Sequence, residues 1–126
     1  MTARATRAAG KPEAALVLSK AVARAAERLG ISKSQLARFL GLSPPTITRL
    51  YTGDYRLDER RKEREFALLF LRAFRALDSI VGDEATGRRW LNSENRGLNA
   101  RPLELMRHTE GLVRVVHYLD ASRSLV

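Results

Sequence analysis

Residues 31–53, ISKSQLARFLGLSPPTITRLYTG, decide how this chain is read. Ser32 is placed to cap a helix in which Leu36, Ala37 and Leu40 share one face. Gly41 follows where the chain must turn sharply, and a left-handed backbone costs least at glycine. Leu42 then plugs the corner, Ser43 caps a second helix, and Pro44 takes the first helical position, where its missing N–H is no loss. Ile47 and Leu50 lie on the buried face of that helix, leaving Pro45, Thr46, Thr48, Arg49 and Thr52 largely outside, and Gly53 ends it. The small Ala37 allows the two helices to cross closely. Two short helices around a tight turn are a helix-turn-helix, a unit that places its second helix in the major groove of DNA.

Charge supports that reading. The chain has 126 residues and a formal net charge of +9, of which residues 1–64 carry +8 and residues 65–126 only +1. A basic surface releases counterions from a polyanion, so the asymmetry marks the N-terminal half as the nucleic-acid face. The phrase LARFLGLS followed by TITRL resembles the Xre and lambda-repressor group of helix-turn-helix proteins. That resemblance implies base contacts from the start of the second helix and from one turn later, here Pro44, Pro45, Thr46 and Arg49. Proline offers only apolar contact, as to a thymine methyl, so Arg49 is expected to carry most of the polar reading. Lys33, at the start of the first motif helix, is expected to grip phosphate, with Thr48 and Thr52 as weaker contributors and Ser43 beside them.

Outside the motif the periodicity stays helical. Residues 1–11 are small, basic and unpatterned, and are expected to form a flexible arm. From Pro12 to Leu29, Leu18, Val22, Ala25 and Leu29 recur at helical spacing, with Lys20, Arg24 and Arg28 on another face. After a short loop from Asp54 to Asp58, the charged run from Asp58 to Glu65 is expected to open a long helix. Weak pairs of Asp58 with Lys62 and of Arg61 with Glu65 would support its start. Its stripe of Phe66, Leu69, Phe70, Ala73, Phe74, Leu77, Ile80 and Val81 is broad enough to join two bodies. Gly82 closes it, and Asp83 caps a short helix through Trp90 and Leu91. A polar loop from Asn92 to Ala100 is anchored by Leu98, Pro102 opens another short helix, and Thr109 caps a last one with Leu112, Val113, Val116 and Leu119 facing inward. The expectation is an all-α protein of six or seven helices. Residues 12–64 form the helix-turn-helix domain, and residues 65–126 a second small helical domain that ends in a tail from Asp120.

Residues 66–119 carry a second set of signals: Val81-Gly82-Asp83, Trp90-Leu91-Asn92 with Asn95 and Leu98, Pro102-Leu103-Glu104-Leu105, and Thr109-Glu110-Gly111 with Val116 and Leu119. This pattern resembles the toxin-binding domain of the antitoxins called Xre, MbcA and ParS, departing at Asn99-Ala100-Arg101, where that family often has Gly. Trp90 is expected as a core anchor, Asn92 and Asn95 as loop hydrogen-bonders, and Gly111 as a point of close packing.

The resemblance implies an antitoxin whose partner is a RES-domain toxin that consumes NAD. It further implies that the antitoxin's C-terminal part shuts the toxin's NAD pocket, and that the pair represses its own promoter. The residues expected to face the toxin are Asp120, Ser122, Arg123, Ser124, Leu125 and Val126. A terminal carboxylate beside Leu125 and Val126 would suit a pocket built for a pyrophosphate and rings, and Arg123 would suit an acidic catalytic residue of the toxin.

No Cys is present, which excludes disulfides, thiolate metal sites and Cys nucleophiles. His108 and His117 stand nine residues apart, so on one helix they would point in nearly opposite directions and could not share a metal. Neither catalysis nor a cofactor or metal of the chain's own is expected. Lacking a membrane-length apolar run, the chain reads as cytoplasmic, and two-fold operators imply a homodimer on double-stranded promoter DNA. Two other readings remain open: a stand-alone transcriptional repressor whose second half only dimerises, and an architectural DNA-binding protein without an operator.

Overall fold

The computed structural model describes the backbone of residues 2–124 and the side chains of residues 13–124. The described residues form seven helices: α1 (Thr2–Arg28), α2 (Lys33–Leu40), α3 (Pro44–Thr52), α4 (Glu63–Val81), α5 (Glu84–Asn92), α6 (Pro102–Leu105) and α7 (Thr109–Ser124). Extended pairing among them is limited to an isolated antiparallel bridge between Asn95 and Ala100.

Local signals set most of the boundaries. Ser32 Oγ accepts from the Gln35 N–H at 3.1 Å while Gln35 Oε1 accepts from the Ser32 N–H at 2.9 Å, a reciprocal cap that satisfies two donors at once. Asp83 caps α5 by accepting from the Thr86 backbone N–H at 2.8 Å and from its hydroxyl at 2.8 Å. Those two bonds, the backbone one foremost, hold the carboxyl below its ordinary range. The departure at Asn99 proves to be a left-handed residue with φ of 56°, a conformation that Asn tolerates better than other side chains.

α4 is the hub, packing against α7, α1, α2 and α5. Phe70, fully buried on α4, meets Phe39 of α2 with ring centroids 6.3 Å apart. On its other side Phe70 shares a void of only about 10 Å³ with Leu29, Leu91, Met106, Val115 and Leu119, at the lower limit of what one water needs. One apolar core therefore runs from the helix-turn-helix into the C-terminal helices.

Five expectations are corrected. α4 starts at Glu63, not at Asp58, because Leu57 is drawn fully into the core and the chain from Asp54 to Lys62 stays irregular to deliver it. Ser19, a buried hydroxyl on α1, accepts from the Leu57 N–H at 3.1 Å, with the carbonyls of Tyr55 (3.3 Å) and Ala15 (3.1 Å) both within reach of its proton. Arg64 donates to the Leu57 carbonyl at 2.7 Å from the far side. Outside a helix, neither expected pair forms: Asp58 faces Arg60 at 3.9 Å, and the Arg61 guanidinium lies 5.0 Å over the Tyr55 ring. On α7 the inward residue is Val115, with Val113 only partly covered. Asp120 to Ser124 continues α7 as helix where a tail was expected. Finally, α1 takes in residues 2–11, where an arm was expected.

Candidate nucleic-acid and toxin interfaces

On α3 the exposed residues form a connected line. Ser43 Oγ accepts from the Thr46 N–H at 3.3 Å and shares a proton with Thr46 Oγ1 at 2.8 Å, and Arg49 Nη2 donates to the same Thr46 oxygen at 3.2 Å. Arg49 is thus held along the outer face of α3 in a preset direction. With Pro44 and Pro45 in the first two positions and the Thr46 N–H already used, the start of α3 presents no backbone donor to a phosphate.

The start of α2 is different. Its first amides, those of Lys33 and Ser34, have no intrahelical acceptor. The Lys33 ammonium sits 4.9 Å over the Tyr51 ring, which ties α2 to the outer side of α3. Burial, and secondarily Glu27, pushes the Tyr51 phenol up, so the ring stays neutral beneath its cation. Thr48 and Thr52 are exposed, yet their hydroxyls already donate inward, Thr48 to the Pro44 carbonyl at 3.2 Å and Thr52 to Asp54 at 2.9 Å or to the Arg49 carbonyl at 3.1 Å. Arg49 and Lys33 therefore remain the cationic donors on this part of the motif, each steered by one intramolecular contact.

The C-terminal candidates are organised by a contact that nothing in the sequence announces. Arg72 of α4 pairs with Asp120 of α7, and the Asp120 Oδ2 it faces is closed to solvent. Ser122 Oγ donates to the Tyr118 carbonyl at 2.9 Å and Ser124 Oγ to the Asp120 carbonyl at 3.0 Å, each reaching back one turn along α7. Arg123 is exposed and meets no carboxylate among the described residues. Leu125 and Val126 lie outside the described residues.

Beside this turn Tyr118 stacks on Trp90, with ring centroids 6.3 Å apart and planes at 24°. Trp90 is only partly buried, so it is half anchor and half surface. Gly97 makes room for the Tyr118 ring, since a Cβ there would overlap the ring edge. Asn95 Oδ1 accepts from the Leu98 N–H at 3.0 Å, while Asn92 donates to the Arg88 carbonyl of its own helix at 2.8 Å. Arg72 and Tyr118 are the residues that reading the sequence missed.

A basic helix-turn-helix fused through one helix to a compact helical body defines a DNA-binding regulator with a built-in protein-binding half. Residues 8–72 match the antitoxin Xre-like helix-turn-helix domain, and residues 76–124 match the antitoxin Xre/MbcA/ParS C-terminal toxin-binding domain. The chain belongs to the Xre/MbcA/ParS antitoxin family. It is also similar to a chain in the crystal structure of the M. tuberculosis MbcT-MbcA toxin-antitoxin complex, with 26% identity and a TM-score of 0.67, covering 87% of this chain and 96% of that one. No protein of curated function matches the chain.

Among the described residues, no helix is long and apolar enough to cross a membrane, and no three His, Asp or Glu side chains gather as a metal site.

Proposed function

We propose that this antitoxin neutralises a cognate RES-domain toxin by shutting the toxin's NAD site with the end of α7 and the residues after it. Through α2 and α3 it represses their shared promoter, acting as a cytoplasmic homodimer. The observation that carries the neutralising role is the fixed end of α7: Arg72 anchors Asp120, so Arg123 and Ser124 lie exposed on a set helical turn, with no carboxylate meeting Arg123 among the described residues. A pocket for a dinucleotide has apolar walls for the rings, which Leu125 and Val126 would cover, while Arg123 would pair with an acidic catalytic residue of the toxin. The antitoxin does no chemistry in this mechanism; it excludes the substrate.

Deleting residues 122–126 spares the Arg72–Asp120 pair and so should leave folding and DNA binding nearly unchanged. It should restore most of the toxin's NAD consumption in the mixed complex. If the shortened protein silences the toxin at the same concentration as the full chain, inhibition comes from the body of the second half.

The DNA role predicts two distinct mutant signatures. Arg49→Ala should cost about 1–3 kcal/mol on the preferred operator and relax preference at one base position per half-site. Lys33→Ala should weaken every sequence alike and reduce the salt dependence by about one counterion. Footprinting and salt titrations of both variants check this, and an equal loss of specificity in the two would overturn the division of labour.

A further inference from the structure

Between α1 and α4 runs a groove of about 360 Å³ whose lining combines the apolar Val17 and Phe74 with the cationic Lys20, Arg24, Arg28 and Arg75. Val17 is 64% exposed, the most open large apolar side chain among the described residues. Arg28 shares Glu84 with Arg88, at 3.7 and 3.9 Å respectively. Lys20, Arg24 and Arg75 have no carboxylate within salt-bridge distance among the described residues. Phe74 and Arg75 directly precede the toxin-binding region that begins at residue 76, and Phe74 also reaches the interior space beside Leu119 of α7. The groove is thus continuous with the half of the molecule that binds the toxin.

We infer that this groove is a second docking site for the toxin, filled by an acidic amphipathic segment. The inference rests on the reading of the chain as a toxin-neutralising antitoxin. Carboxylates one helical turn apart would answer Lys20 and Arg24 on α1, a third would answer Arg75 across the groove, and an apolar side chain between them would cover Val17 and Phe74. DNA phosphates would satisfy the cations but leave the apolar lining wet. A two-fold contact between copies through this groove would set Arg24 and Arg75 against cations of the same surface. An acidic protein segment meets both features at once, and it would hold the toxin while the end of α7 closes its pocket.

The test uses the full chain carrying Arg24→Glu and Arg75→Glu together, with Arg24→Gln and Arg75→Gln as the milder pair and helical content checked by circular dichroism. Toxin affinity measured by calorimetry should fall by about tenfold or more in the Glu pair and by less in the Gln pair, while operator affinity stays within about twofold. The protein shortened by residues 122–126 should still bind the toxin, and lose that binding when the Glu pair is added. Unchanged toxin affinity in the Glu pair overturns the inference. So does a parallel loss of operator affinity, which would assign the cations to phosphate, or a change in the mass of the free antitoxin, which would assign the groove to a second copy. If the unaltered chain fails to bind the toxin, the antitoxin reading itself falls and the groove with it.

Discussion

Gly111→Ala is expected to lower the stability of the protein by about 3 kcal/mol, the upper end of what one extra methyl costs in a closely packed site. A Cβ at position 111 would overlap the Leu105 carbonyl oxygen and lie 2.6 Å from its carbon and 2.9 Å from its Cα. These are backbone atoms, so no side-chain rotation relieves the clash. The turn from α6 into α7 would have to open, drawing Met106 and Leu112, both buried, out of register. Urea denaturation followed by far-ultraviolet circular dichroism measures the loss. A cost below about 1 kcal/mol would show that the α6–α7 turn yields freely. Because α7 also carries the proposed toxin contacts, toxin affinity should fall with stability, whereas the α2–α3 surface would keep its DNA affinity at temperatures where the variant remains folded.

Phe70→Ala should cost about 3–5 kcal/mol, the range for emptying an aromatic site in a close-packed core. The ring touches Phe39 on one side and the space shared with Leu91, Val115 and Leu119 on the other, so its removal loosens both halves. The expected signature is one unfolding transition, shifted but still single. Trp90, the only Trp, reports the C-terminal half by fluorescence, and operator binding across the same temperature range reports the helix-turn-helix. Coincident loss of the two signals marks one cooperative unit. Two separated transitions would show that α4 joins bodies that fold independently.

What could be read in the sequence and what could not divide along a physical line. Caps and breakers act within a few residues, so Ser32, Gly41, Ser43, Gly53, Gly82 and Asp83 all mark in the sequence the boundaries seen in the structure. Most of the buried faces of α1, α2 and α3 follow from simple apolar spacing, but Phe39, buried on α2, is not marked by it. The features that escaped depend on partners far along the chain. Ser19 stands outside the apolar spacing of α1, and its role is to hold Leu57, 38 residues away. Without that bond the charged run after Asp58 has every local reason to be helical. Asp120 reads as the first residue of a loose end until Arg72, on another helix, is brought against it. Val113 and Val115 are equally apolar, and only the angle at which α7 meets α4 selects Val115 for the interior.

Within the candidate sites, residue types were legible and their engagement was not. Exposed Pro44, Pro45 and Arg49 follow from the helix phase. That Thr48 and Thr52 spend their hydroxyl protons inside the motif depends on rotamers, which no pattern of letters specifies. Lys33 stands at a helix start by spacing alone, but its seat over Tyr51 requires the crossing angle of α2 and α3.

The continuity of α4 constrains how a lineage of such proteins can change. The two matched regions end at residue 72 and resume at residue 76, inside α4, so no flexible linker separates them there. A recombination event that transplanted one parent's operator specificity onto another's toxin specificity would cut through Phe70 and its neighbours on both sides. It would also split Arg72 from Asp120. Such hybrids inherit mismatched halves of one interior, and most would fail to fold before their new specificities could be tried. Exchange of partners by shuffling whole halves is therefore closed to this architecture. On the proposed interfaces, new pairings would arise by substitution on the outer face of α3, at the end of α7 and along the groove between α1 and α4, one side chain at a time.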